Sequence, residues 1–207
     1  MRMNNIWAIV LAAGASTRMK KQKLLLPFQR RTIVETVIHT ISGVLKNNIL
    51  VVLGSHLEAI ERRIRKGPGT LCINERYAEG MLSSVICGFR GLPPEAGAAM
   101  VFLGDQPQIP STVIRSVIDA WEKSGKGIVI PVFEGKRGHP VLIKTAYREE
   151  IEELDPEKGL RQLMVKFSND VCEVECGKPE ILRDIDTPRD YEFEINKTKT
   201  YGTESSV

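Results

Sequence analysis

The feature that most constrains the fold is a regular alternation of short apolar runs with helical patterns. The runs lack strict apolar–polar alternation, which is typical of strands that are covered on both faces. They lie at residues 6–11, 49–53, 70–74 and 99–103. The helical patterns between them lie at residues 33–45, 56–66 and 111–122. This alternation predicts an α/β fold, a three-layer α/β/α sandwich with a mainly parallel, Rossmann-like sheet.

The second half of the chain breaks this rhythm. The extended runs 127–133 and 139–144 are separated by the turn sequence EGKRG, which predicts a hairpin or an antiparallel detour from the main sheet. Further elements are then predicted: helices near 146–154 and 157–167, a strand at 170–176, and a last short helix with Thr187 as N-cap and Pro188 in its first turn. We expect a single domain over residues 1–195 and a polar, disordered tail over 196–207.

Composition excludes several classes of function. A net charge of +3 over 207 residues is too small to indicate a nucleic-acid or membrane partner. No apolar stretch approaches the roughly 20 residues that span a bilayer, and the short apolar N-terminal run continues directly into a glycine loop, unlike a signal peptide. The four cysteines, Cys72, Cys87, Cys172 and Cys176, lack CxxC spacing. We therefore expect buried free thiols and a cytoplasmic protein.

The loop after the first predicted strand combines small residues with positive charge. Its sequence, GASTRMKKQK, starts at Gly14 and carries Arg18, Lys20, Lys21 and Lys23. The glycine and lysine spacing fits neither a P-loop nor a dinucleotide fingerprint. Small residues still let backbone N–H groups approach an anion, and the cations would neutralise a polyphosphate. A solvated basic turn is the alternative interpretation.

Carboxylates and hydroxyls follow other predicted strands. Asp105 in FLGDQP comes at a strand end, where a hard cation such as Mg²⁺ would bridge protein and phosphate. DIDTP offers Asp186 as a second carboxylate, whereas Asp184 is more typical of a helix cap. Ser83 and Ser84 in EGMLSSV are, taken alone, more typical of N-capping residues than of ligands.

Together, and in this order, the motifs resemble a known family. LAAGASTRM…K…LLP, EGMLSSV…G, LGDQP, GHPVLI and DIDTP are similar to the nucleotidyltransferases related to molybdenum cofactor cytidylyltransferase. The resemblance runs from about residue 6 to residue 193. One position departs from the family pattern, because Lys20 stands where the family usually has glycine after Arg-Met.

The resemblance implies a role for each matching residue. Arg18, Lys23 and Asp105 would be catalytic, Asp105 and Asp186 would hold Mg²⁺, and His139 and Gln106 would bind the acceptor. The nucleotide would be bound by Leu11, Ala12, Ala13, Gly14, Arg18, Lys23, Gly80, Ser83, Ser84 and Asp105. For His139, a turn histidine satisfied by backbone groups remains the alternative.

The implied reaction moves CMP from CTP to a phosphate of the molybdopterin cofactor and releases pyrophosphate. Such in-line transfer needs alignment and charge neutralisation rather than a protein nucleophile. GTP as donor, or a sugar or alcohol phosphate as acceptor, is the first alternative, although Ala13 in LAAG resembles the pyrimidine-using members. The second is a non-enzymatic maturation chaperone, and a molybdoenzyme or maturation factor is a candidate partner.

Overall fold

The computed structural model describes residues 5–15, 17–19 and 21–203. These residues form an eight-stranded sheet, a separate two-stranded ribbon and seven α-helices. The strands are β1 (Ile6–Ala12), β2 (Pro27–Phe28), β3 (Arg31–Thr32), β4 (Ile49–Leu53), β5 (Thr70–Ile73), β6 (Ala98–Leu103), β7 (Ile128–Phe133), β8 (Lys136–Arg137), β9 (Val141–Lys144) and β10 (Val171–Glu175). The helices are α1 (Ile33–Leu45), α2 (Leu57–Ile64), α3 (Met81–Arg90), α4 (Ser111–Ser124), α5 (Arg148–Glu152), α6 (Leu160–Lys166) and α7 (Pro188–Thr203).

The main sheet is mostly parallel, as predicted. Its strand order is β10-β7-β9-β6-β1-β4-β5, and β8 pairs with β7 at one end. The strands β6, β1, β4 and β5 run parallel, and β10 runs parallel to β7. Strand β9 is antiparallel to both β6 and β7, which confirms the predicted detour. The hairpin between β7 and β8 turns at Glu134 and Gly135, which both have positive φ.

Helices cover both faces of this sheet and complete the predicted three layers. Successive residues of β1 show why the sheet has two cores: Ala8 and Val10 pack on one side and Ile9 on the other. Side chains from α1, α2, α4 and α7 join the first core, and side chains from α3, α5 and α6 join the second. Because both faces are buried, the strands carry continuous apolar sequences.

Local capping explains where two of the helices begin. In α1, the Thr32 hydroxyl accepts from the Glu35 N–H at 3.4 Å and the Glu35 carboxylate accepts from the Thr32 N–H at 2.8 Å, a capping box. Thr187 and Asp190 repeat this arrangement at the start of α7, as the predicted N-cap requires. Pro110 precedes α4 rather than lying inside its first turn.

The C-terminal helix is longer than expected. Helix α7 continues through Thr203. The expectation of a disordered tail is therefore wrong for residues 196–203. Residues 204–207 of the expected tail lie outside the described residues. Whether residues 1–195 form a domain of their own stays a prediction.

Smaller differences concern burial and helix length. All four cysteines are free but only half-buried, where we expected buried thiols. Helix α2 is shorter than the predicted 56–66, and the predicted 146–154 and 157–167 become the short α5 and α6. In the described part of the chain, no helix has the length and apolar character that crossing a membrane requires.

Candidate active site

Backbone hydrogen bonds join the loops that follow three neighbouring parallel strands. The N–H of Ser55, after β4, donates to the carbonyl oxygen of Ala13 at 3.1 Å. The N–H of Gly104, after β6, donates to the carbonyl oxygen of Leu11 in β1 at 3.0 Å. The carboxyl ends of β4, β1 and β6 therefore form one continuous edge, which is the usual ligand-binding edge of such sheets.

A cleft of about 360 Å³ lies at this edge. Its volume is within the range of small-molecule sites. The residues that line it are Leu11, Ala13, Gly14, Arg18, Lys23, Leu24, Tyr77, Gly80, Met81, Ser84, Leu103, Asp105, Asp184 and Asp186.

Two cations and two carboxylates meet in this cleft. The Lys23 Nζ lies 2.5 Å from Asp105 Oδ2 and 2.8 Å from Asp186 Oδ1. The exposed Arg18 guanidinium reaches the other oxygen, Asp186 Oδ2, at 2.6 Å. A single ammonium group thus joins carboxylates from the β6 end and from the loop before α7. Residues far apart in sequence thus form one charged cluster.

Ion pairing sets the protonation of the cluster. Burial alone lowers the pKa of Lys23, but the charge of Asp105, its hydrogen bond and the contribution of Asp186 together raise that pKa above its ordinary value. The hydrogen bond from Lys23 and the positive charges of Lys23 and Arg18 lower the pKa of Asp186. Lys23 is therefore an ammonium and Asp186 a carboxylate at neutral pH.

Asp184 forms a separate branch of the acidic cluster. Its Oδ1 accepts from Gln106 Nε2 at 2.8 Å, and Gln106 is itself buried. Desolvation and the nearby Asp105 charge raise the pKa of Asp184. The expectation that Asp184 caps a helix is wrong, because Thr187 and Asp190 cap α7.

One wall of the cleft is built on a buried asparagine. Asn74 follows β5, and its Nδ2 donates to Ser84 Oγ at 3.0 Å and to Ser83 Oγ at 2.9 Å. The N-cap of α3 is Gly80, with φ of 103° and no side-chain cap, so the interpretation of the serines as N-caps is wrong. Ser84 lines the cleft, whereas the Ser83 hydroxyl donates to the carbonyl oxygens of Arg76 and Gly80.

Most predicted site residues lie together. Nine of them line the cleft: Leu11, Ala13, Gly14, Arg18, Lys23, Gly80, Ser84, Asp105 and Asp186. Four predicted residues are not among the described lining residues: Ala12, Ser83, Gln106 and His139. Ala12 is buried beneath the loop, and Gln106 supports Asp184. The binding roles implied for all thirteen residues stay predictions, and Lys20 lies outside the described residues.

His139 lies within the electrostatic influence of Asp105. Its backbone N–H donates to the Ile181 carbonyl oxygen at 3.1 Å, and the turn-histidine alternative stays open. Burial lowers the pKa of its imidazole to about 4, and the charge of Asp105 only partly opposes that change. His139 is therefore neutral at pH 7.

Sequence reasoning missed several residues that shape the cleft. Tyr77 and Met81 are large, exposed side chains on its lining, 40% and 59% accessible. Gly54 lies between Tyr77 and Ala13, where any Cβ would fall within 3 Å of both side chains. The signal for Tyr77 was weak, because a single aromatic residue before EGMLSSV follows no recognisable periodicity.

The donor set limits how a metal ion would be held. Within residues 5–15, 17–19 and 21–203, no group of three or more His, Cys, Asp or Glu side chains is placed to bind one. Asp105 and Asp186 nevertheless share one cation, the Lys23 ammonium. Mg²⁺ is commonly held by one or two carboxylates together with phosphate oxygens and water. The two aspartates fit a divalent ion that arrives with a phosphate ligand.

A larger cavity lies elsewhere, beside α1 and the start of α4. It measures about 700 Å³ and contains none of the predicted site residues among its described lining. Its acidic residues, Glu180 and Glu194, are paired with Arg183. The smaller cleft is the candidate active site, because the strand ends and the charged cluster converge there.

Comparison with known proteins shows the family of the chain. Residues 8–171 match the model of the MobA-like NTP transferase domain. The molybdenum cofactor cytidylyltransferase of Escherichia coli K12 is 30% identical over 191 residues, which cover 91% of this chain and 95% of that protein. A probable molybdenum cofactor guanylyltransferase of Bacillus cytotoxicus is 27% identical, with 81% and 83% coverage.

A solved structure shares the fold. The complex of Rv0371C from Mycobacterium tuberculosis H37Rv with manganese superimposes with a TM-score of 0.78 at 23% identity, covering 93% of this chain and 98% of that one. The match of the domain model over most of the chain and the identity to the cytidylyltransferase decide the family. The chain belongs to the MobA-like NTP transferases and is a nucleotidyltransferase.

Proposed function

We propose that this nucleotidyltransferase moves CMP from CTP to a phosphate of molybdopterin and releases pyrophosphate. The observation that carries the proposal is the Lys23 ammonium held between Asp105 and Asp186, with Arg18 on the same aspartate. A cleft with two cations and two carboxylates suits a polyphosphate that arrives with a divalent ion. The similarity to a cytidylyltransferase supports CTP as the donor.

Asp105 and Asp186 would hold Mg²⁺, which supplies charge neutralisation at the transferring phosphate. The related structure solved with manganese supports a divalent ion in this fold. Both aspartates are already oriented toward one cation, so the carboxylates need little rearrangement. The backbone bond from the Ile185 N–H to the Asp105 carbonyl oxygen, 3.2 Å long, keeps the two segments together.

Arg18 and Lys23 would act on the leaving pyrophosphate. Both cations are paired with Asp186 in the structure. Phosphate oxygens would compete with the carboxylates for these two cations, and Arg18 is 70% exposed and free to reorient. Negative charge builds on the leaving group during transfer, so cations there stabilise the transition state more than the ground state.

The chain is tightly packed around Gly54, beside the cleft. The Ala13 methyl and Tyr77 close around Gly54, which has no side chain. Ala13 is 5% exposed, so its methyl is part of the packed floor rather than a free surface. The LAAG motif, which resembles that of the pyrimidine-using members, supports a pyrimidine donor over a purine donor.

A guanylyltransferase is the second candidate, because a probable molybdenum cofactor guanylyltransferase is also similar over most of the chain. Transfer to a sugar or alcohol phosphate by the same chemistry is a further alternative. A chaperone without activity would have no need of Arg18, Lys23, Asp105 and Asp186 in one cleft. The chaperone function would be favoured only if the chain turned over no nucleotide.

Pyrophosphate release tests the proposal directly. The purified chain is assayed with CTP, UTP, GTP or ATP, with molybdopterin and Mg²⁺, and again without each of these. We expect release with CTP that requires both the acceptor and the divalent ion. Faster release with GTP would reject the cytidylyl assignment, and no release with any nucleotide would reject the enzyme activity.

A further inference from the structure

Two cysteines meet where α3 packs against the edge strand β5. Cys72 lies in β5, the edge strand of the sheet, and Cys87 lies in α3. Their Sγ atoms are 2.8 Å apart. Each sulfur also has a hydrogen-bond contact with a backbone carbonyl oxygen, Cys72 Sγ with Cys87 O at 3.6 Å and Cys87 Sγ with Ile73 O at 3.5 Å.

This separation brings the pair close to bonding distance. A disulfide has an S–S length of about 2.05 Å, so the sulfurs need to approach by less than about 1 Å. The other two cysteines provide a contrast within the same chain. Cys172 packs against the core beneath α1 and α4, whereas Cys176 packs against a separate cluster around Ile109 and Ile181.

Small reagents have access to the pair. Both cysteines line an open depression of about 560 Å³, together with Ile86 and the exposed Arg90. Each cysteine is only half-buried. Strand β5 has no neighbour on its outer side in the described sheet, so no further strand covers Cys72. A tripeptide-sized disulfide can therefore approach the sulfur on the edge strand.

Burial suppresses the ionisation of the Cys87 thiol. Burial, and then the hydrogen bond and charge of Cys72, raise the pKa of Cys87 to about 12. The thiolate is the nucleophile in thiol–disulfide exchange, so Cys87 does not start the reaction at neutral pH. Cys72 lies on the uncovered edge strand, so the first exchange takes place there and Cys87 acts as the second, resolving thiol.

We propose that Cys72 and Cys87 are a redox-active pair that is oxidised to a disulfide by low-molecular-weight disulfides of the glutathione class. The Cys72 thiolate attacks RS–SR, which forms a mixed disulfide and releases RS⁻. The Cys87 sulfur then attacks the Cys72 sulfur, its proton passes to the departing RS⁻, and RSH leaves. In sum, one RS–SR is reduced to two RSH while two thiols become one S–S bond.

The bond would connect the elements that carry the wall of the cleft. Asn74 lies two residues after Cys72, and Ser84 lies one helical turn before Cys87. Asn74 already joins β5 to α3 by its hydrogen bond to Ser84. The disulfide would add a covalent link parallel to this hydrogen bond. Intracellular disulfides of this kind are usually reversible sensors rather than permanent braces.

Peptide mapping tests the proposal. The folded full-length chain is incubated with oxidised glutathione, its free thiols are then blocked with N-ethylmaleimide, and it is digested with trypsin. Cleavage after Lys66, Arg76 and Arg90 gives peptides 67–76 and 77–90, each with one cysteine of the pair. We expect these peptides to be linked and lighter by two hydrogen atoms than their sum, with reactive thiols falling from four to two.

Variants separate this pairing from unspecific oxidation. A Cys172→Ser/Cys176→Ser double variant keeps the pair and should give the same linked peptides at the same rate. A Cys72→Ser variant should give no link and a much slower reaction at Cys87. Reduction with dithiothreitol should separate the linked peptides. Unlinked peptides 67–76 and 77–90 in the folded protein, or links to Cys172 or Cys176 instead, would overturn the proposal.

Discussion

The backbone N–H of Ile185 donates to the carbonyl oxygen of Asp105 at 3.2 Å. This bond joins the loop before α7 to the end of β6, although the two residues are far apart in sequence. The next residue after Ile185 is Asp186, so the bond holds both aspartates against the same Lys23 ammonium. The geometry of the charged cluster therefore rests on the backbone as well as on the ion pairs.

The Asp105→Asn variant tests the role of the strand-end carboxylate. The amide keeps the shape and can still accept from Lys23, and Lys23 keeps Asp186, so we expect the free energy of unfolding to fall by about 1 kcal/mol or less. Loss of the charge should lower turnover by roughly a hundredfold or more. Melting temperature and steady-state rate are measured across a Mg²⁺ titration.

The matched control is Asp119→Asn, because Asp119 is an exposed aspartate on α4 that is not among the described lining residues of the cleft. It should change neither the rate nor the melting temperature. Near-normal turnover in a normally folded Asp105→Asn variant would show that this carboxylate has no catalytic role.

Arg18→Ala should lower kcat more than it weakens nucleotide binding. Arg18 is exposed and paired with Asp186, so its removal leaves the packing intact. Its proposed contribution is to the charge that grows on pyrophosphate, which is greatest in the transition state. Comparing kcat with the Kd for CTP, with Arg115→Ala as an exposed control, distinguishes the two effects. An unchanged kcat with a raised KM would show that Arg18 binds the ground state and the transition state equally well.

Much of the fold followed from the sequence because the buried strands leave a direct signal. The apolar runs of β1, β4 and β6 and the helical period of α1 were predicted within one residue at each end. Asp105 was predictable for the same reason, since a polar residue after a buried strand lies at the sheet edge. Periodicity carries no information on pairing, so the insertion of β9 between β6 and β7 was beyond it.

The rest of the site depends on contacts that local sequence does not encode. Asn74 looks like any turn residue, and only the packing of β5 against α3 shows that its amide orients Ser84. The extent of α7 was missed because its later residues are polar and their helical state depends on continuation from a well-capped start. Gln106 was predicted as an acceptor ligand, but its amide nitrogen is already bonded to Asp184.

His139 should make the stability depend on pH. Its pKa is lowered to about 4 in the folded chain from an ordinary value of 6.5, because burial disfavours the charged imidazolium. The unfolded chain therefore binds more protons between those values, and stability should be lost as the pH falls from about 6.5 toward 4. This contribution is about 3 kcal/mol when lost in full.

Urea unfolding at pH 7 and at pH 5 measures the effect. His139→Gln should reduce the difference in unfolding free energy between the two pH values, whereas His39→Gln, at an exposed position of α1, should leave it unchanged. An equal pH dependence in wild type and His139→Gln would show that the imidazole does not change its protonation on folding in this range.

Lys23→Met should have two opposite effects on the cleft. Methionine removes the ammonium that lies 2.5 Å from Asp105 and 2.8 Å from Asp186, so the two carboxylates lose their shared cation. Without that competitor, the chain alone should bind Mn²⁺ more tightly than wild type, by roughly tenfold if one unit charge is removed at this distance. Turnover should nevertheless fall by a hundredfold or more, about 3 kcal/mol, because the cation proposed to stabilise pyrophosphate is gone.

Manganese affinity is measured by paramagnetic resonance and turnover by pyrophosphate release, with Lys123→Met on the last turn of α4 as the control. A loss of Mn²⁺ affinity together with turnover would show that Lys23 organises the carboxylates rather than competing for them.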